Sequence, residues 1–187
     1  MLREMVKKVY ELGVPLNYHA NGDAAIDMLL RAHEWAAADD PRKERNVTVI
    51  HAQFSRKDQV AKYVEYSMTP SFYTLHTYYF ADAHIANRGP EQAAYISPMR
   101  DAIDAGLHPT NHTDFVVAPL DQMFVLWSAV NRISRSGDVI GEGQRVGALE
   151  GLKAQTIWAA EQYGEAAEKG SLEPGKRADV VCLGVDQ

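Results

Sequence analysis

The chain has 187 residues, 46% of them hydrophobic and 24% charged, with a net charge of −6 and an isoelectric point near 5.6. That is enough apolar material for a buried core. The acidic balance excludes nucleic acid or an anionic membrane surface as the main partner and favours a small-molecule substrate. A single cysteine, Cys182, rules out an internal disulfide. With no leader-like opening and no apolar run near the ~20 residues of a membrane span, the expected setting is the cytoplasm.

The predicted elements alternate. Leu2, Met5, Val6, Val9 and Tyr10 repeat at helical spacing up to Gly13, which is the pattern of an amphipathic helix and its stop. "VPLNYH" then reads as a strand, and a second helical pattern runs through Ala25, Ile26, Leu29, Leu30, His33 and Trp35 to Ala37. After the polar loop "DDPRKERN" comes the β-branched strand "VTVIHA". "SRKD" has the form of a capping box on Ser55 and Asp58 and opens a helix with Val60, Ala61 and Val64. A third strand is expected over 67–72, weakened by Pro70.

From there the sequence predicts a long aromatic loop, "YTLHTYYFADAH", a helix from Pro90 through Ala105 and a strand-like segment ending in "HPTNHTD" at Asp114. Two helices over 121–134 and 149–163 flank the glycine-rich "SGDVIGEGQRVG". The last segment, "GSLEPGKRADVVCLGV", reads as a turn and an apolar strand, the start of a separate small β element. Alternating β and α units imply a parallel sheet, closed either as an open doubly wound sheet or as an arc of a (β/α)8 barrel.

Three residues at the carboxyl ends of predicted strands are candidate metal ligands: His19, His51 and Asp114. They are spaced by about one and two βα units of a barrel with roughly 31 residues per unit. Imidazole and carboxylate together suit zinc or a similar divalent ion. The plainer alternatives are that each histidine is a hydrogen-bonded structural residue and that Asp114 caps a turn. His112 stands two residues before Asp114 and reads as a supporting or substrate-contacting group. His76, Tyr78, Tyr79, Asp82 and His84 bring aromatic and polar groups to the same rim, either as a substrate wall or as a loop packing its own rings. His33, inside a helix, and His108, at a strand start, receive no role. No dinucleotide fingerprint, phosphate loop or nucleophile elbow is present in the sequence.

"HANGDAAIDMLLRAHE", "VIHAQF", "GLHPTNHTD" and "GSLEPGKRADVVCL", in that order, resemble the metal-dependent amidohydrolase superfamily, and within it amidohydrolase family 3. The resemblance implies an α/β fold: a partial (β/α)8 TIM-type barrel with strands 5 to 8 in residues 1–165, and the start of a β-sandwich in 166–187. It implies one or two divalent ions, most simply Zn2+, with His19, His51 and Asp114 as ligands. Asp114 would also move the proton in hydrolysis of a carbon-nitrogen bond; His76, Tyr79, His84 and His112 are candidate substrate contacts by their place on the rim, not by the resemblance. The family's His-x-His pair and carboxylated lysine have no counterpart here. The expectation is therefore a carboxyl-terminal half that lacks an N-terminal partner half or self-associates. A metal-free binding or regulatory protein on the same scaffold is the alternative.

Overall fold

The structure, a computed structural model, describes residues 1–38, 40 and 45–184. Residues 39 and 41–44 of the expected polar loop lie outside the described residues. Helix α1 (Leu2–Leu12) buries Val6 and Tyr10 and stops at Gly13, whose φ of 66° is left-handed and costs glycine nothing. Strand β1 (Leu16–Ala20) leads to helix α2 (Asp23–Ala37), and strand β2 (Val47–His51) to helix α3 (Lys57–Glu65). Strand β3 (Met68–Phe72) accommodates Pro70. Strand β4 (Thr110–Asn111) joins it only at Ser71 and Phe72, beyond the proline.

All four strands are parallel, in the order β1-β2-β3-β4. Each crossover adds the next strand on the same side. A doubly wound sheet reverses its order at a switch point; this one does not, and the arrangement is the open arc of a barrel. Apolar side chains of the sheet, Val47, Val49, Met68 and Phe72, pack with Val6, Ile26, Leu29, Tyr63 and Trp158 into one core. On β1 the alternation is plain: Asn17 and His19 are exposed, whereas Leu16, Tyr18 and Ala20 turn toward the core.

Several expected boundaries shift. Arg56, not Ser55, precedes α3, and the Arg56 N–H donates to Gln59 Oε1 at 3.0 Å. Ser55 instead turns inward, donating to the Ala52 carbonyl at 2.8 Å, while Asp58 pairs with Arg56 at 3.0 Å. The expected aromatic loop is helical, as α4 (His76–Tyr79) and α5 (Ala81–Arg88). The helix expected from Pro90 to Ala105 is two helices, α6 (Pro90–Ala94) and α7 (Met99–Asp104). Pro98 cannot donate to a preceding turn, and Ser97 takes a left-handed φ of 47°. After α8 (Gln122–Asn131), the helix expected over 149–163 divides into α9 (Ala148–Gln155) and α10 (Ile157–Gln162) at Thr156.

The glycine-rich segment between α8 and α9 is a tight return, bridged between Ile133 and Val139. Arg132 holds it in place. Fully buried, its guanidinium donates to the carbonyls of Ile140 (2.7 Å), Ser97 (3.1 Å) and Ile96 (2.7 Å), locking the return onto the α6–α7 link. The expected final strand carries no ladder in residues 178–184 and is exposed throughout. A strand is stable only where a neighbour satisfies its backbone, and the described residues place none beside it.

Candidate metal centre

His51 ends β2, and His19 lies one position from the end of β1. The register aligns His19 with Ile50 and Ala20 with His51, so strict alternation would send the two imidazoles to opposite faces of the sheet. They do not go there. His51 has φ 71° and Ala52 φ 46°, a left-handed pair that takes the chain off the pleat just where the side chain matters. The rings of His19 and His51 consequently meet edge-on, with centroids 4.7 Å apart. Such backbone conformations in non-glycine residues persist only where the surroundings enforce them, and they gather at functional sites.

Beyond β4, His112 N–H donates to the Phe72 carbonyl at 2.9 Å, which carries the chain past the two-residue strand to Asp114, itself at φ 52°. Potential ligand atoms of His51, His112 and Asp114 all lie within 4.8 Å of one another. His19 stands outside that trio but against it, through its contact with His51. Thus the three expected ligands come to one rim, His19 and His51 from the ends of β1 and β2 and Asp114 from the segment after β4, and His112 comes with them.

A fourth imidazole closes the group. His76, at the start of α4, lies 5.6 Å from His51, ring to ring, and 4.6 Å from Tyr73. Tyr73 stacks on His112 at 5.7 Å. A buried polar network fixes this turn: Asn111 Oδ1 accepts the Thr74 N–H at 3.1 Å, and Thr74 Oγ1 bonds Ser128 Oγ at 2.7 Å. Sequence reasoning missed Tyr73 and this network. The only signal was the position of Tyr73 directly after a strand, which looks the same whether a residue packs or binds.

Of the other expected contacts, His84 is engaged elsewhere, with its Nε2 2.7 Å from Gln53 Nε2 and its ring edge-on to Phe54. Tyr79 is more than one-third exposed and belongs to an aromatic wall with Tyr78, Phe80 and Phe124. Asp82 accepts a hydrogen bond from Ser136. His33 and His108 stay apart from the group. The first bonds Tyr10 at 2.7 Å and the second stacks on Trp158.

Burial favours the neutral form of His51, His76 and His112. It pushes His76 down to about 2 and His112 to about 4, the latter helped by His51 and opposed by Asp114 and the Ser71 carbonyl. His51 is lowered by burial first and by His19 next, against the pull of Asp114. Neutral imidazole is the form that binds metal. Nine buried side-chain polar atoms lack a partner among the described residues, and four of them sit here: His51 Nδ1, Tyr73 OH, His76 Nδ1 and His112 Nε2. Buried polar groups are normally satisfied, so this concentration marks a place filled from outside. With a carboxylate and imidazoles converging there, the donor set fits a divalent ion.

The family model described as "Amidohydrolase family" matches residues 1–186. The chain belongs to the amidohydrolase family. Among curated relatives, the chain is 25% identical to N-substituted formamide deformylase of Arthrobacter pascens over 99% of its length but 34% of that protein. It is 29% identical to Protein LONG AFTER FAR-RED 3 of Arabidopsis thaliana, over 91% of the chain and 30% of that protein. Its fold matches a metal-dependent hydrolase from Pyrococcus furiosus with a TM-score of 0.77 and 28% identity, covering 95% of the chain and 35% of that structure. A metal-dependent hydrolase from Pyrococcus horikoshii OT3 gives the same TM-score at 24% identity, over 95% of the chain and 36% of that structure. The chain therefore spans about a third of the length of these relatives. No helix among the described residues is long and apolar enough to cross a membrane.

Proposed function

We propose that this chain is the part of a cytoplasmic metal-dependent amidohydrolase that carries the ligands of barrel strands 5, 6 and 8. In this reading residues 1–165 belong to the barrel and 166–187 open the adjoining β-sandwich. His19 and His51 hold a divalent ion, zinc by the character of the donors, and Asp114 completes the set. A divalent ion held there supplies Lewis acidity toward water and a substrate carbonyl. Asp114, on the same rim, accepts the proton of the attacking water and returns it to the departing nitrogen. The substrate is a small molecule with a carbon-nitrogen bond of the non-peptide amide type, a class suggested by the name of the Arthrobacter relative. His76 and Tyr79 line the approach.

The observation that carries this reading is the contact between His19 and His51 across a register that should separate them, with Asp114 beside His51. The test is metal content after equilibration with zinc and gel filtration. Near-stoichiometric zinc is expected, falling at least about tenfold when His19 and His51 are both replaced by asparagine. A chain that takes up no zinc between pH 6 and 8, or retains it in the double variant, refutes the proposal and leaves the metal-free scaffold as the better description.

A further inference from the structure

Strand β4 ends after two residues, and one side chain ends it. It pairs with β3 at Ser71–Thr110 and Phe72–Asn111, and the next rung, from the His112 N–H to the Phe72 carbonyl, is still made at 2.9 Å. The bonds of a parallel ladder are evenly spaced, so the rung after that would run from the Thr74 N–H to the His112 carbonyl. It does not. The Thr74 N–H donates to Asn111 Oδ1 at 3.1 Å instead. A buried N–H needs an acceptor, and the carboxamide supplies it in place of the main chain.

Asn111 is itself firmly held. It is buried, and so are Thr74 and Ser128. Its Nδ2–H donates to Thr74 Oγ1 at 2.8 Å, that hydroxyl lies 2.7 Å from Ser128 Oγ, and Ser128 donates to the Val125 carbonyl at 2.9 Å. The residue before it is pinned separately, since Thr110 Oγ1 donates to Gln162 Oε1 at 2.6 Å and lies 2.8 Å from Ser71 Oγ. The base of β4 is therefore fixed without Asn111; what depends on Asn111 is the chain that follows. With the Thr74 N–H taken, that chain is free to leave β3 at His112. It turns at Asp114, where φ is 52°, and ligand atoms of Asp114 and His51 come within 4.8 Å.

We infer that Asn111 is a positioning residue: its carboxamide stops the β3–β4 ladder early and so brings Asp114 to His51. The inference rests on the proposed function for what that pair holds, a divalent ion, and deepens it. Side chains that orient ligands from behind typically change metal affinity by about 10–100-fold when lost.

Two variants that keep side-chain shape separate this from a merely structural role. Asn111→Leu removes the acceptor, so the Thr74 N–H should take the His112 carbonyl and draw Asp114 back toward β3. Thr74→Val keeps the N–H and its bond to Asn111 Oδ1 but removes the hydroxyl, so it should cost stability without moving Asp114. In metal-free protein, nuclear Overhauser contacts between the His51 ring and the Asp114 β protons are expected in wild type and in Thr74→Val and should vanish in Asn111→Leu. Co2+ affinity should fall at least about tenfold in Asn111→Leu and change by no more than about threefold in Thr74→Val. Contacts absent from wild type, contacts kept in Asn111→Leu, or equal losses in the two variants overturn the inference. Should Asn111→Leu fail to fold, wild type decides: scalar coupling across the hydrogen bond from the Thr74 nitrogen to Asn111 Cγ is expected, and coupling to the His112 carbonyl carbon in its place overturns the inference. A wild type whose His51–Asp114 contacts depend on Asn111 but which binds no Co2+ supports this role and counts against the proposed function.

Discussion

His33 provides a sharp test of how burial controls charge in this protein. It is 5% exposed on the core side of α2. Its Nδ1 bonds Tyr10 OH at 2.7 Å, its ring packs on Tyr66 at 4.4 Å, and Arg45 lies over the Tyr10 ring at 4.6 Å. Desolvation, then the Arg45 charge, lowers it from 6.5 to about 4, against the weaker pulls of Glu34 and Glu65. With the folded value below the unfolded one, the unfolded chain binds the extra proton between them. The stability contributed by neutral His33 is present above about pH 6.5 and declines as pH falls toward about 4. Linkage with these two values gives a loss of about 2 kcal/mol between pH 7 and pH 5. Urea denaturation at both pH values measures it. Since His76 and His112 act in the same direction, the comparison is with His33→Asn, which retains an acceptor for Tyr10 and does not titrate there. The variant should be less stable at pH 7 but lose about 2 kcal/mol less than wild type on acidification. Parallel losses in the two proteins would show that His33 titrates normally and that its burial is not felt.

Other outcomes follow from particular contacts. Gly141 has φ 62°, and a Cβ there would collide with the Ala94 carbonyl oxygen, so Gly141→Ala should destabilise by at least about 2 kcal/mol in the same denaturation assay. Arg132→Met removes the buried guanidinium and strands the carbonyls of Ile140, Ser97 and Ile96; a loss of about 3–5 kcal/mol is expected, and a fully stable variant would mean that water replaces the side chain. Among the described residues β1 pairs only with β2 and β4 only with β3. These open edges should drive association, seen as a sedimentation coefficient that rises with concentration; a compact monomer at about 100 μM would refute it.

The first half of the fold was legible because each unit there obeys one local rule. Leu2 to Tyr10 keep helical spacing to a glycine stop, and "VTVIH" is a β-branched run in a buried strand. Errors cluster where tertiary contacts overrule local signals. Ser55 looks like a cap, but it bonds the Ala52 carbonyl and lies 3.0 Å from Tyr63 OH, and Arg56 takes the boundary. The residues from Tyr73 to His84 carry aromatics without a clear period, and they become helical because Thr74, Asn111 and Ser128 tie the turn before them to β4 and α8. Pro98 was visible in the sequence and should have ended the preceding helix.

The site was legible in its residue types and not in its geometry. Spacing by whole βα units placed His19, His51 and Asp114 at strand ends, but equal spacing alone leaves two adjacent strands free to point their final side chains to opposite faces. What resolves this is a backbone feature that no side-chain pattern encodes: the positive φ of His51 and Ala52. A strand ending in the β region would have kept His51 aligned with Ala20, which is fully buried, and away from exposed His19. The left-handed turn also sets Ser55 and Gln53 facing inward, where one bonds the Ala52 carbonyl and the other reaches His84. One local departure from strand geometry therefore brings the two histidines together and anchors the loop behind them. That is a physical reason for the chain to hold an otherwise unfavourable conformation there.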